Sequence, residues 1–125
     1  MTKRLALAAP LLALAGCGDG GDGPPPAEQI AIANPYHDAL LRASEFSRNA
    51  TIRAAVARNR QPCERVLEAA HTGRHKNLQL WTVRCVSPRG GGYRYGLFLA
   101  PDGQTQVRSC QAMRTLGLPA CREDV

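Results

Sequence analysis

The positions of hydrophobic and polar residues fall into two patterns along this chain, a helical pattern before Pro62 and an alternating pattern after it. Between residues 34 and 60, apolar residues recur three or four positions apart, as they do on one face of an α-helix. Asn34 followed by Pro35 is a typical helix start. Ser44 interrupts the pattern, so the segment is either one helix or two. The apolar positions are Tyr36, Leu40, Ala43, Phe46, Ala50, Ala54 and Ala57.

Three segments after Cys63 alternate between apolar and polar residues with a period of two, which is the pattern of half-buried strands. They cover residues 77–86, 92–100 and 105–110. Between the last two, Pro101-Asp102-Gly103 suits a three-residue hairpin turn with the glycine in the left-handed conformation. We therefore expect an antiparallel meander. Its shared face would hold Trp81, Val83, Cys85, Tyr93, Tyr95, Leu97, Leu99, Thr105, Val107 and Ser109.

The connections place Leu97 beside both Trp81 and Val107, so the apolar faces of the three strands agree. Residues 64–71 fit either a helix ended by Gly73 or a first strand, and their position before a glycine-containing turn favours the strand. Residues 111–116 predict a short helix. The expected fold class is α+β: an N-terminal helix or helix pair packed on an antiparallel sheet of three to four strands, followed by a short C-terminal helix.

The first seventeen residues have the pattern of an export signal. Lys3 and Arg4 precede eleven residues without a polar side chain, Leu5 to Ala15. A transmembrane helix needs about 20 apolar residues, so this stretch is too short to span a bilayer. A positive head, a short apolar stretch and small residues before a cleavage point predict a secretory signal peptide.

The end of this segment, Leu14-Ala15-Gly16-Cys17, resembles the lipobox of bacterial lipoproteins. In that family the cysteine thiol receives a diacylglyceryl group, cleavage falls just before it, and the new amino group is often acylated. The resemblance implies that residues 1–16 are removed and that Cys17 is lipidated. An ordinary secretory signal, or a buried N-terminal helix, is the alternative. Two or more acyl chains would hold the protein durably on a membrane.

Residues 17–27 contain Cys17 and a run of glycine, aspartate and proline that cannot bury apolar area. Such a run is typical of an extended tether, which could hold a domain up to roughly 30 Å from its anchor. A single domain over residues 28–125 follows. We expect a lipid-anchored protein of the bacterial cell envelope with its domain in the periplasm. The residues after the lipidated cysteine, Gly18 and Asp19, do not cleanly match the inner-membrane retention signal of bacterial lipoproteins. The choice between inner and outer membrane therefore stays open.

The chain carries 16 basic and 10 acidic residues, a net charge of +6. Every basic residue after the signal segment is an arginine except Lys76. An arginine-rich surface suits polyanions such as anionic lipid headgroups or acidic polymers. The arginines are spread evenly along the domain, however, and this distribution favours an ordinary solvated surface.

Four cysteines follow Cys17, and an even number in an exported domain predicts two disulfides. Cys85 and Cys110 would lie two strands apart and point to opposite faces, which the limit of about 7 Å between bridged Cα atoms forbids. If residues 64–71 pair with the Trp81 strand, Cys63 lies opposite Cys85. The expected bridges are Cys63–Cys85 and Cys110–Cys121. No C-x-x-C motif or zinc-finger spacing is present, so neither a metal nor a redox site is expected.

The sequence contains no recognisable catalytic pattern. His71 and His75 have the spacing of two metal ligands on a helix, but Thr72-Gly73 between them favours two loop histidines. There is no G-x-S-x-G elbow, P-loop or dinucleotide fingerprint. We therefore expect no catalytic residue, no metal and no cofactor.

The run from Trp81 through Tyr93-Arg94-Tyr95 to Gly103 resembles small exported bacterial domains of unknown function, and part of it resembles the PepSY type of domain. PepSY domains pack a helix on a hairpin-rich sheet and are sometimes linked with protease inhibition, but they lack these cysteines. The sequence thus predicts a non-enzymatic envelope lipoprotein that binds a protein partner and no nucleic acid. The alternatives are a polyanion- or wall-binding module that uses the arginines, and a hydrolase with an unrecognised site.

Overall fold

A four-stranded antiparallel sheet forms the centre of the fold. It is seen in a computed structural model that describes residues 32–125. The strands, in spatial and chain order, are β1 (Arg65–His75), β2 (Leu78–Val86), β3 (Gly92–Leu99) and β4 (Thr105–Ser109). Helices α1 (Pro35–Arg42) and α2 (Glu45–Arg58) cover one face, while α3 (Cys110–Thr115) and the C-terminal residues cover the other. The predicted α+β class is confirmed.

The helical segment consists of two helices, separated at Ala43 and Ser44. Ala43 has extended backbone angles, which end α1. The Ser44 hydroxyl then accepts a hydrogen bond from the backbone N–H of Ser47 at 3.2 Å and caps the start of α2. A serine at this position stabilises a new helix because it satisfies one of the free N–H groups of the first turn.

This break shifts the phase of the helical pattern, and the apolar stripe predicted across α2 is wrong. Phe46 is 85% exposed, and Ala50, Ala54 and Ala57 also face solvent. The residues of α2 that are buried on the sheet are Ile52, Ala55 and Val56. A single helical period carried through Ser44 could not predict them, because the chain does not keep one helix axis there.

Residues 64–71 lie in strand β1, as favoured by their position, and the strand continues to His75. The pairing of β1 with β2 is interrupted by bulges between Val66 and Glu68 and between His71 and Gly73. Each bulge inserts one residue and so sends the following side chains to the opposite face of the sheet. Val66 therefore packs in the core under the helices, whereas Glu68 lies on the other face beside Arg84.

The register of the meander is the predicted one. Trp81 lies opposite Leu97, and Leu97 lies opposite Val107. The β3–β4 hairpin turns at Gly103, whose φ of +88° is in the left-handed region that glycine adopts at low cost. Its N–H donates to the carbonyl of Ala100 at 3.0 Å.

Two hydrophobic clusters, one on each face of the sheet, stabilise the domain. The larger lies under α1 and α2 and includes Trp81, Val83 and Leu97. The smaller joins Leu80 and Phe98 of the sheet to Met113 of α3. Both faces of β2 are thus buried, which accounts for its nearly continuous protection from solvent.

Both predicted disulfides are present, Cys63–Cys85 with Cα atoms 5.3 Å apart and Cys110–Cys121 with Cα atoms 5.7 Å apart. One detail of the prediction is wrong, since the residue directly opposite Cys85 in the sheet is Val66. Cys63 precedes β1 and bridges to Cys85 from outside the strand.

The predicted signal peptide, the lipidation site Cys17 and the tether all lie outside the described residues and stay predictions. Residues 28–31 of the predicted domain also lie outside them. Within residues 32–125, the helices are too short or too polar to cross a bilayer.

Candidate functional site

A groove of about 320 Å³ opens between α1, α2 and the β3–β4 hairpin, and we call it the α1–α2 groove. Its walls come from both helices and its floor from β3, so every part of it is positioned by the helix-to-sheet packing. The lining residues are Tyr36, Ala39, Leu40, Ala43, Thr51, Ile52, Ala55, Arg58, Leu97, Leu99, Gly103 and Thr105.

Small side chains keep the groove open. Ala39 of α1, Ala43 at its end and Ala55 of α2 all line the groove, so no large side chain fills the space at these positions. At the hairpin, the ring of Tyr36 lies directly over Gly103, where an added Cβ would stand 2.7 Å from the Tyr36 Cζ. The tyrosine can hold this position only because residue 103 has no side chain.

Hydrogen bonds fix the walls of the groove. The guanidinium of Arg48 on α2 donates to the carbonyls of Leu40 and Ala43, both at 3.0 Å, and thereby joins the two helices. At the other end, the Asn59 amide donates to the Thr105 hydroxyl at 2.9 Å and joins α2 to β4. The groove is therefore a formed feature of the fold.

The groove is apolar inside and cationic at its rim. Leu40, Ile52, Leu97 and Leu99 of the lining are buried. Arg58 is the one charged side chain among the described residues that line it, and it is exposed. Such a groove can bury an apolar group and attract a negative charge beside it, but its lining offers no pair of groups for acid–base chemistry.

A second cluster, of His37, His71 and Trp81, ties α1 to the sheet. The Trp81 indole N–H donates to Nδ1 of His37 at 3.1 Å. The imidazole rings of His37 and His71 lie 4.3 Å apart, centre to centre, and His71 Nε2 is 2.8 Å from the Gln79 amide oxygen. Because an indole nitrogen only donates, Nδ1 of His37 must be unprotonated, and a neutral His37 carries its proton on Nε2.

His37 is held in this neutral form by its surroundings. Burial lowers its pKa below the ordinary 6.5, and the neighbouring His71 lowers it further. Asp38 opposes this effect by raising the pKa. A proton on Nδ1 would also break the bond from Trp81, so the geometry and the direction of the pKa agree.

The prediction that His71 and His75 are loop histidines is wrong, since both lie in β1. Residues four apart in a regular strand share a face, but the bulge at Gly73 separates these two. His71 is opposite Trp81 on the helix-covered face, and the His75 ring packs against Phe98 on the other, with centres 6.2 Å apart. They cannot ligate one metal ion together.

The four described cysteines and the Ser109 hydroxyl have structural partners. Cys63, Cys85, Cys110 and Cys121 are all bridged. The hydroxyl of Ser109 caps α3 by accepting from Ala112 N–H at 3.0 Å. Within residues 32–125, His, Cys, Asp and Glu residues never gather in groups of three or more that could hold a metal.

Comparisons with protein-family models, with curated proteins and with solved structures give no match to this chain. The resemblances to the lipobox and to PepSY domains therefore stay predictions from the sequence.

Sequence reasoning missed both the α1–α2 groove and His37. The groove depends on the break between α1 and α2 at Ala43 and Ser44, and the helical period does not predict how the two helices are placed after this break. The frequent alanines in this segment do indicate that small side chains lie between the helices. His37 could have been found from Trp81, because a buried indole N–H needs a hydrogen-bond acceptor. His37, in the first turn of the predicted helix, is that acceptor.

Proposed function

We propose that this protein is a lipid-anchored, non-enzymatic binding module of the bacterial envelope, whose α1–α2 groove takes an apolar side chain of a partner protein. The observation that carries the proposal is the groove itself, an open apolar space with one cationic residue on its rim. Its volume of about 320 Å³ is near the lower end of the ~300–1,000 Å³ typical of ligand pockets.

The groove fits the anchor residue of a protein better than a free small molecule. Protein interfaces concentrate their binding energy in a few large side chains that enter preformed pockets. Tyr36, which lines the groove and is 52% exposed, adds apolar surface on α1 around such an anchor. Arg58 favours a partner with a carboxylate beside the apolar side chain.

The lipid anchor and the periplasm are part of the same proposal. Disulfides form and persist in oxidising compartments, and the described domain has two. Residues 1–16 have the pattern of a secretory signal peptide, and Leu14 to Cys17 resemble a lipobox in which Cys17 would be acylated.

The experiment is a pull-down from detergent-solubilised envelope with the wild-type chain and two variants. Ala39→Gln fills the groove with a polar, uncharged side chain at an exposed helix position. Ala54→Gln makes the same change at an exposed position of α2 that does not line the groove. We expect one partner that the wild type and Ala54→Gln retain and that Ala39→Gln loses.

Salt distinguishes this proposal from the polyanion-binding alternative. At about 1 M salt the Debye length is only about 3 Å, and binding by surface charge collapses. An apolar anchor keeps its partner under this condition. If all three proteins retain the partner equally at low salt and all lose it at high salt, the groove is not the binding site. That result would favour binding by the arginine surface.

A further inference from the structure

A second groove lies on the opposite face of the sheet, between the β1–β2 turn, β4 and the segment after α3, and we call it the cationic groove. It encloses about 360 Å³. It shares no residue with the α1–α2 groove and has no role in the function proposed above. The lining residues are His75, Lys76, Leu78, Phe98, Gln106, Arg108, Leu116 and Leu118.

The floor and rim of the cationic groove differ in character. Phe98 on the floor is 2% exposed, and Leu78 and Leu118 are partly buried around it. Leu116, at 57% exposed, forms an apolar lip. Lys76 and Arg108 stand on the rim and are both exposed.

These two cations have no acidic neighbour to neutralise them. No Asp or Glu is among the described residues that line the groove. Within residues 32–125, the ion pairs are Arg84 with Glu68 and Arg122 with Asp124, and neither involves the groove. Lys76 and Arg108 thus present unneutralised positive charge above an apolar floor.

The lining of the groove limits what can occupy it. A peptide would bring a backbone N–H and C=O at every residue, each needing a partner where it is buried, and besides the two cations the described lining residues offer only the polar side chains of His75 and Gln106. An acyl chain has no such groups along its length.

We propose that the cationic groove binds a monomeric single-chain anionic amphiphile, an acyl chain with a carboxylate head. The chain lies along Leu78, Leu116 and Leu118 above the buried Phe98, and the carboxylate lies between Lys76 and Arg108. The volume holds roughly a dozen groups of the size of a water molecule, at about 30 Å³ each, which suits a medium-length chain.

The test is a titration of the mature chain with dodecanoate below its micelle concentration. Every sample is produced without residues 1–16 and carries Cys17→Ser, so that neither the predicted signal segment nor an attached acyl chain competes. We expect saturable binding of one dodecanoate, located by chemical-shift changes at Phe98 and Leu118. In the double variant Lys76→Gln with Arg108→Gln, the affinity falls by about tenfold or more, since two charge-assisted contacts are lost.

The matched control is Arg60→Gln with Arg89→Gln, which removes two exposed charges elsewhere. Arg60 shares with Lys76 a positive φ, +60° against +55°, so backbone effects of the substitution are balanced. The control should bind like the wild type. Leu116→Gln should weaken dodecanoate binding while leaving the unfolding transition unchanged.

Three results would overturn the proposal. One is an absence of saturable binding, and another is equal affinity in the Lys76/Arg108 variant and its control. The third is tighter binding of anionic vesicles or of an acidic peptide than of monomeric dodecanoate, if the Lys76/Arg108 variant loses that binding. The groove would then bind that other class of partner.

Discussion

At the scale of single residues, Gly96 shows how tightly the sheet and α3 are fitted together. The sulfur of the fully buried Met113 occupies the place where a Cβ at position 96 would stand. Gly96→Ala therefore forces the side chain of Met113 to move. We expect a loss of about 1–3 kcal/mol in the free energy of unfolding, measured by chemical denaturation.

Gly92→Ala is the control for this prediction. Gly92 begins the same strand, and a Cβ added there meets no atom within 4 Å, so little change is expected. If the crowding by Met113 is the cause, Gly96→Ala combined with Met113→Ala should cost less than the sum of the two single changes. A strictly additive double variant would contradict the account.

His37 makes the stability of the domain depend on pH. Its pKa is lowered in the folded state by burial and by His71, so the unfolded chain binds the proton more tightly. The stabilisation from a neutral His37 is therefore complete above its ordinary pKa of 6.5 and is lost as the pH falls through the lower folded value.

This dependence is checked by denaturation at pH 7.5 and pH 5. The wild type should be less stable at the lower pH, and His37→Gln, which keeps an acceptor for the Trp81 N–H, should lose less. His75→Gln should behave like the wild type, because His75 packs on the opposite face. An identical pH effect in the wild type and His37→Gln would show that His37 is not the titrating group.

At the scale of elements, the two disulfides close loops of different length. Cys63–Cys85 spans 22 positions and joins the segment after α2 to the sheet, whereas Cys110–Cys121 spans 11 and fixes the C-terminal segment to α3. A doubling of loop length adds about 0.6 kcal/mol to the closure entropy. Cys85 is also fully buried in the larger cluster.

Removing the first bridge should therefore cost more than removing the second, by about 0.6 kcal/mol or more. The comparison uses Cys63→Ala with Cys85→Ala against Cys110→Ala with Cys121→Ala, followed by thermal or chemical unfolding. A larger loss from the Cys110–Cys121 pair would mean that the C-terminal segment contributes more to stability than the structure indicates.

The elements that the sequence predicted well are those with one simple period. Strands β2, β3 and β4 alternate regularly, and their hairpin turn carries its own signal in Pro101-Asp102-Gly103. The register then followed, because a slip of one residue would turn Trp81 and Leu97 to opposite faces.

Prediction failed where the periodic pattern of buried residues shifts along the chain. The bulges in β1 move His71 and His75 to different faces, and the break at Ser44 moves the buried face of α2 away from Phe46. Ser44 signals the break but not which face of α2 is buried after it, and no residue pattern signals the bulges. The α1–α2 groove depends on the second of these changes, so its position could not be derived from the sequence.

At the scale of the whole molecule, we predict that Cys17 alone fixes the protein to the membrane. Cys17→Ser removes the thiol that would accept an acyl group, so the variant should remain unprocessed or be released as a soluble form. Fractionation of cells into membrane and soluble parts measures this. The control variant Gly18→Ser leaves the Cys17 thiol intact, so this protein should remain in the membrane fraction. A Cys17→Ser protein that is cleaved correctly and still acylated would end the lipoprotein proposal.

The most direct single measurement is the intact mass of the protein purified from its native envelope, before and after reduction. We expect a chain that begins at Cys17, carries the added mass of acyl groups, and gains four hydrogen atoms on reduction of its two bridges. A chain that retains residues 1–16, with no acyl group and all five cysteines as free thiols, would contradict export, anchoring and the oxidising compartment together.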